Sequence, residues 1–172
     1  MDKYQHFVKT YPLISAFLQF AILGFLGEVI SYSLRKRLKN IGNFFQIILK
    51  ILGWGILGII IKMGFTGSKG SLKALIANNM LPNIIEGTFL YAFSLSVLTN
   101  LFFGPQMMLF HRLEENLIMG KKDFKGIEFS LFSLIWFWIP AHTLTFLLPK
   151  DYQIGIAALW SIVLGIILSF KK

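Results

Sequence analysis

The chain has 172 residues, of which 55% are hydrophobic and 15% are charged, and its mean hydropathy is +0.66. Soluble domains have about 45–50% apolar and about 25% charged residues, so this composition is typical of a membrane protein. The absence of cysteine excludes disulfides, thiolate metal sites and cysteine nucleophiles. The net charge of +9 comes from short basic runs between apolar segments, which fits the positive-inside rule better than a nucleic-acid-binding face.

Five apolar segments follow one another along the chain, at residues 13–34, 44–65, 84–103, 129–148 and 152–170. Each has about 19–22 residues, which at 1.5 Å per residue is enough to cross about 30 Å of hydrocarbon. None alternates apolar and polar residues with period two, and a backbone in lipid must satisfy its own hydrogen bonds. The pattern predicts one all-α domain over residues 1–172, a polytopic membrane helix bundle with about five transmembrane helices.

Residues 64–82, between the second and third segments, are rich in glycine and are predicted to form a loop. Within them a short amphipathic helix at the membrane interface is expected, capped by Ser71. Its apolar face would consist of Leu72, Leu75, Ile76 and Met80. The letters GSKGS lack the Gly-Lys-Ser/Thr order of a phosphate-binding loop, so that function is rejected.

The third segment runs into Gly104-Pro105 and then into the mixed stretch of residues 106–118. Proline lacks the N–H of a helical hydrogen bond and kinks a helix. The third helix is therefore expected to reach the membrane surface near Gly104-Pro105. Residues 106–118 would continue as a half-submerged helix, with His111, Arg112, Glu114 and Glu115 in water or among headgroups. On spacing alone, an ordinary helix end with a solvated charge cluster accounts for this stretch.

The distribution of lysine and arginine predicts the orientation. With five crossings, one side of the membrane holds Lys3, Lys9, Lys62, Lys69, Lys73 and Lys150. The other side holds Arg35, Lys36, Arg37, Lys39, Lys50, Arg112, Lys121, Lys122, Lys125, Lys171 and Lys172. The more basic side is expected to be cytoplasmic, with the N-terminus outside and the C-terminus inside. A bacterial cytoplasmic membrane is the default host, because no mitochondrial presequence precedes the first segment, and an organellar membrane is the alternative.

Polar side chains inside the apolar segments are the candidate functional residues, since a charge there costs roughly 2.5–3.5 kcal/mol on insertion scales. Glu28 and Lys50 lie at similar predicted depth and are expected to form an ion pair, with Asn100 approaching the same layer. A second layer towards the outside comprises Gln19, Lys62, Glu86, His142, Thr143 and Thr145. The candidates for lining or gating a pore are Glu28, Lys50, Asn100, Gln19, His142 and Glu86. The alternatives are structural: a helix-locking ion pair, a snorkelling Lys62 and a packing histidine at His142.

The first helix has a definite small-residue face that includes Gly24, Gly27 and Glu28. Small residues allow close approach of neighbouring helices, so Glu28 is expected to face other helices and not lipid. Gln19 lies on a different face, so no straight polar stripe runs down this helix. The fifth segment has little polarity beyond Ser161 and is expected to be an outer, lipid-facing helix.

The stretch GPQMMLFHRLEENLI resembles the glycine-proline signature of the Mpv-seventeen and twenty-two-kilodalton peroxisomal membrane protein family. The matched signature positions are Gly104, Pro105, Phe110, His111, Arg112 and Glu115. The stretch GFLGEVIS at residues 24–31 is similar to the family's Gly-Leu-Gly-Asp-Ile-Ile-Ser. The resemblance implies a divergent, bacterial-type member, a small integral membrane protein of the kind proposed to form pores for small solutes. The family has four crossings and the segments here give five, and both counts stay open.

The leading functional hypothesis is a pore, channel or transporter for small solutes or ions, with Glu28 and Lys50 setting charge preference or acting as a gate. The alternative is a membrane-embedded binding or scaffold subunit of a larger transport complex. An enzyme is not expected, because no nucleophile stands beside a base at informative spacing. No cofactor or metal is predicted. The expected partners are the lipid bilayer and small solutes or ions, not nucleic acid, and a homo-oligomer is left open.

Overall fold

The computed structural model describes residues 2–169, and within this range the elements are helices and no strand occurs. The helices are α1 (Lys3–Thr10), α2 (Pro12–Leu34), α3 (Phe44–Ala77), α4 (Phe89–Met119), α5 (Ile127–Leu147) and α6 (Gln153–Ser169), with a short 3-10 turn at Leu38–Asn40. The predicted all-α helix bundle is confirmed.

Four of these helices, α2 to α5, are long and apolar enough to cross a membrane. Between 28% and 50% of the apolar window of each is buried in the bundle, which leaves much apolar surface to face lipid. The predicted fifth crossing is a shorter helix, since α6 has 17 residues and is about 25 Å long at 1.5 Å per residue. Phe170, the last residue of the predicted fifth segment, and the following Lys171 and Lys172 lie outside the described residues.

The helix α3 is one continuous element of 34 residues, so the predicted loop and separate interfacial helix in residues 64–82 are wrong. It begins with a capping box in which Asn43 and Gln46 exchange two hydrogen bonds of 2.9 Å. Glycine inside a helix costs about 1 kcal/mol relative to alanine. That cost is offset here because Leu72, beyond the glycines, is fully buried in the core and holds the last turns of α3 against the bundle.

The helix α4 differs from its predicted bounds at both ends. It begins at Phe89 and not at residue 84, because Thr88 caps it by accepting a hydrogen bond from the backbone N–H of Tyr91 at 3.3 Å. It also continues through Gly104-Pro105 to Met119. Gly104 is buried in the bundle against Leu134, so Gly104-Pro105 does not end the helix. The expectation that it marks the membrane surface stays a prediction.

A π-helical turn precedes the proline in both α4 and α5. In α4 the turn spans Thr99–Phe103, and in α5 it spans Leu134–Trp138. A proline cannot donate to the carbonyl four residues earlier and its ring clashes with it. A π turn shifts the bonding to the carbonyl five residues earlier, which widens the helix. The two wide turns pack against each other, since α4 and α5 are neighbours joined by a short loop.

The helix α2 makes its most extensive contacts with α3 and α6. Its predicted small-residue face is confirmed, because Gly24 lies against Trp54 of α3 and Gly27 lies against Ile162 of α6. The expectation that α6 is simply a lipid-facing helix is wrong for one of its faces. There Ile154, Ala157 and Ala158 are buried in the core.

Candidate functional site

The predicted ion pair between α2 and α3 is confirmed. Nζ of Lys50 contacts Oε1 of Glu28, and the two side chains are 3% and 15% exposed. The other carboxylate oxygen of Glu28 accepts a hydrogen bond from Nε1–H of Trp54 at 2.9 Å. Nζ of Lys50 also lies 5.2 Å from the ring centroid of Tyr32, within the range of a cation–π interaction. Each charge therefore has a second partner that fixes it in place.

The helix α4 brings a second carboxylate towards this pair. Glu114 lies so close to α3 that a Cβ on Gly53 would be 1.7 Å from its Oε1, so a side chain at position 53 would displace this carboxylate. Nδ1 of His111 lies 3.1 Å from Oε2 of Glu114, and the His111 ring centroid is 4.7 Å from that of Trp54. We name the group formed by Glu28, Lys50, Trp54, His111 and Glu114 the charged cluster.

His111 and Glu114 are only partly exposed, and Glu114 packs against α3, so they are not a freely solvated charge cluster. Their position at the level of the headgroups stays a prediction. Helical spacing could have predicted this packing, because the two residues are three apart and share one helix face with the preceding Met107 and Met108. Arg112 and Glu115 form a longer contact of 3.4 Å and are also partly buried.

A second buried polar group joins α4 to α5. Oδ1 of Asn100 lies 3.2 Å from Nδ1 of His142, while Nδ2 of Asn100 donates to the backbone oxygen of Ser96 at 2.8 Å. Asn100 is 1% exposed and His142 is 8% exposed. The sequence analysis placed Asn100 in the layer of Glu28 and Lys50, and His142 in another layer. The assignment to different layers is wrong, because the two side chains bond directly.

Beside this pair lies an internal cavity of about 30 Å³, which has room for about two water molecules. It forms where the two π turns face each other. Its walls are Phe20, Ile61, Phe65, Thr99, Asn100, Phe103, Gly104, Met107, Met108, Leu134, Trp138, His142 and Ala157. The lining is mostly apolar, with polar atoms confined to a few side chains. The sequence signal for this cavity was a proline just after the third apolar segment, Pro105, and another within the fourth, Pro140.

The cavity and the charged cluster lie in successive layers of the bundle. Met107 and Met108 line the cavity, and His111 follows about one turn later on α4. On the other side of the cavity the ring of Phe65 packs against those of His142 and Phe146, with centroids 5.1 and 4.8 Å apart.

Beyond these rings, Lys69 lies 5.8 Å from the ring centroid of Phe146 and donates to Oε1 of Gln153 at 2.5 Å. This lysine was not among the sequence candidates. We call the two ends of the bundle the Lys50 end and the Lys69 end.

The second predicted polar layer does not form as a unit. Gln19 accepts a hydrogen bond from the hydroxyl of Tyr4 at 3.0 Å, at the edge of the bundle. The hydroxyls of Thr143 and Thr145 donate to backbone oxygens of their own helix. Lys62 is partly exposed. Glu86 lies outside the helices, in the exposed loop between α3 and α4.

Glu86 bridges two lysines at the Lys69 end. Its carboxylate oxygens lie 3.0 Å from Nζ of Lys73 and 3.2 Å from Nζ of Lys150. The hydrogen bonds from these two ammonium groups lower the pKa of Glu86 from its usual value of 4.5. The carboxylate thus connects α3 to the loop before α6.

The stabilisation from Glu86 is expected to be present at neutral pH and to be lost in acid. A group whose pKa is lower in the folded state stabilises above its unfolded pKa, and this contribution disappears as pH falls through the folded pKa. Wild type and Glu86→Gln should therefore differ in unfolding free energy at pH 7 and converge well below pH 4.5. Because the group is exposed, the difference should be small and should shrink in high salt. If the unfolding free energies of wild type and Glu86→Gln differed equally at both pH values, the assigned ion pairs would be contradicted.

The described helices, apolar towards the outside and polar at a few internal points, define a membrane helix bundle. No family model, curated protein or solved structure matches the chain. The resemblance to the Mpv-seventeen family therefore stays a prediction. Within residues 2–169 no group of three or more His, Asp or Glu side chains is placed to hold a metal ion.

Proposed function

We propose that the chain is a membrane transport protein for small solutes, with a gated internal route and not an open pore. The observation that carries the proposal is the stacking of two buried polar groups in one bundle. The charged cluster lies towards the Lys50 end, and Asn100 and His142 lie beside the cavity in the middle. Ionisable residues inside spanning helices are costly and typically mark a substrate or ion pathway.

The route would run along α3. At 1.5 Å per residue, Lys50 and Phe65 are about 22 Å apart along the helix axis, and Lys69 follows one turn later. The cavity lies between them, closed towards the Lys50 end by Met107 and Met108 and towards the Lys69 end by Phe65 and Phe146. Unbranched methionine side chains adapt easily in shape, so they suit a closure that must open.

In this proposal the charged cluster is the gate. Two carboxylates approach α3 within one turn of Lys50: that of Glu28, which also binds Trp54, and that of Glu114, which lies against Gly53. If Lys50 changed its partner from Glu28 to Glu114, the packing of α2, α3 and α4 would change. In this proposal, the charged cluster supplies the two alternative packings that gating requires.

Flux into proteoliposomes tests the proposal. Light scattering reports water and neutral solutes, and ion-sensitive dyes report ions. We expect protein-dependent flux of at least one class, and a changed rate in Glu28→Gln. The control is Lys62→Met, which removes a partly exposed lysine of α3 that lies outside the charged cluster. Vesicles containing folded protein that conduct no more than protein-free vesicles would contradict transport.

The orientation with the N-terminus outside a bacterial cytoplasmic membrane belongs to the same proposal and rests on the lysine and arginine distribution. Because the chain has no cysteine, single cysteines can be introduced and labelled from one side of intact cells. We expect Glu86→Cys to react with an impermeant reagent from outside and Lys122→Cys to be protected. The reverse pattern would contradict the orientation.

A further inference from the structure

Two lysines at one end of the bundle share a single carboxylate. Nζ of Lys73 lies 3.0 Å from Oε2 of Glu86, and Nζ of Lys150 lies 3.2 Å from Oε1. The acidic residue that follows Lys150 in the chain, Asp151, pairs with Lys9 instead, at 3.3 Å. The two ammonium groups are therefore held beside each other with one negative charge between them.

Lys69 adds a third ammonium group to this end. Its Nζ donates to the neutral amide oxygen of Gln153 at 2.5 Å and lies 5.8 Å from the ring centroid of Phe146. Four charged groups act electrostatically on it, three cations and one anion: Lys150, Lys62, Lys73 and Glu86. We name Lys69, Lys73 and Lys150 the lysine group. Lys62 is set apart from it, because it lies about 10 Å earlier along α3.

The lysine group and Glu86 together leave an excess of two positive charges, since there are three ammonium groups and one carboxylate. Each ammonium group has three N–H donors, and within residues 2–169 the contacts with Glu86 and Gln153 engage only part of them. The side chains of Lys73 and Lys150 are 57% and 69% exposed, so an anion can reach them. A phosphate group supplies the charge and the several acceptor oxygens that this arrangement lacks.

The lysine group also lies at the depth expected of lipid headgroups. The apolar part of α3, residues 44–65, is about 33 Å long and matches about 30 Å of hydrocarbon. Lys69 follows about 6 Å later along the same helix. The polar layer of each leaflet is about 5–7 Å thick, so this ammonium group falls within it.

Exposed apolar side chains lie next to the lysine group along the chain. Ile85, immediately before Glu86, is 71% exposed, and Leu148, two residues before Lys150, is 39% exposed. Cations beside an exposed apolar surface suit a molecule with an anionic head and an apolar tail. A free phosphate would use only the polar half of this surface.

We propose that the lysine group binds the phosphate of an anionic phospholipid headgroup, whose acyl chains lie against the apolar outside of the bundle. The bound lipid neutralises the excess charge and links α3 to the loop before α6. The site is separate from the internal cavity and from the charged cluster. It does not depend on whether the protein transports a solute.

Titration of the protein in neutral-detergent micelles with phosphatidylglycerol tests the proposal. A lipid that binds the folded state raises the unfolding temperature, which circular dichroism measures. We expect a saturable rise with phosphatidylglycerol and a much smaller one with phosphatidylcholine of the same acyl chains. Inorganic phosphate should produce no comparable rise. An equal response to both lipids, or saturation by inorganic phosphate alone, would overturn the assignment to an anionic lipid.

A double variant, Lys69→Gln with Lys150→Gln, locates the site. A lysine near an anionic lipid surface contributes roughly a fivefold factor in affinity, so the lipid concentration at half-saturation should rise about five- to thirtyfold. The matched control is Lys121→Gln with Lys122→Gln, which removes two exposed lysines from the other end of the bundle. Equal weakening in both double variants would indicate diffuse attraction and overturn the site.

Lys150→Gln alone keeps the test decisive if the double variant does not fold. Lys150 is exposed, and Glu86 keeps Lys73 as its partner in this variant. We expect a weakening of about fivefold for phosphatidylglycerol. Unchanged affinity would contradict the role of Lys150 in binding.

Discussion

Lys50→Met is expected to lower the free energy of unfolding by about 3–5 kcal/mol, because it leaves the half-buried carboxylate of Glu28 without its cation. Lys50 is the buried partner of that carboxylate, and Trp54 alone cannot replace its charge. The measurement is unfolding in mixed micelles, followed by circular dichroism. Lys62→Met is the matched control, since it makes the same substitution at a partly exposed position of α3.

A double variant separates the ion pair from simple loss of a lysine. Replacing both members of a buried pair by apolar residues of similar volume is often neutral or stabilising. Glu28→Met combined with Lys50→Met should therefore recover most of the stability that Lys50→Met loses. If the two losses simply add, Glu28 and Lys50 do not depend on each other and the pair has been misassigned.

Gly58→Ala is expected to be the most damaging single-methyl change in α3. A Cβ at this position would lie 2.4 Å from the backbone oxygen of Ala16 and 2.7 Å from Cβ of Phe20. A backbone atom cannot move away by a rotamer change as a side-chain atom can, so α2 and α3 must separate. Overpacking of this kind costs about 1–3 kcal/mol. The same unfolding measurement would report it.

Gly67→Ala provides the control on the same helix. Nothing lies within 4 Å of a Cβ there, so the added methyl meets open space. Alanine is the better helix former by up to about 1 kcal/mol, so this variant should be neutral or more stable. Equal effects of the two substitutions would contradict the close packing of α2 on α3 at Gly58.

The apolar segments could be predicted from sequence because length and hydropathy are local properties. The ion pair of Glu28 and Lys50 could also be predicted, since both residues lie at similar distances from a short connecting turn. The prediction of a loop from glycine content failed at Gly67 and Gly70. Glycine marks loops in water, but here the packing of Leu72 maintains the helix through them.

By itself, the sequence determined a membrane helix bundle, its approximate segments and the burial of one charged pair, because these follow from hydrophobicity and from depth along each helix. Only the tertiary structure decided that Asn100 meets His142 and that Glu114 reaches Gly53. It also decided that two proline-associated π turns enclose a cavity. These features depend on which helix faces meet and at what rotation. Because a π turn changes that rotation, a regular period read along the chain could not fix it.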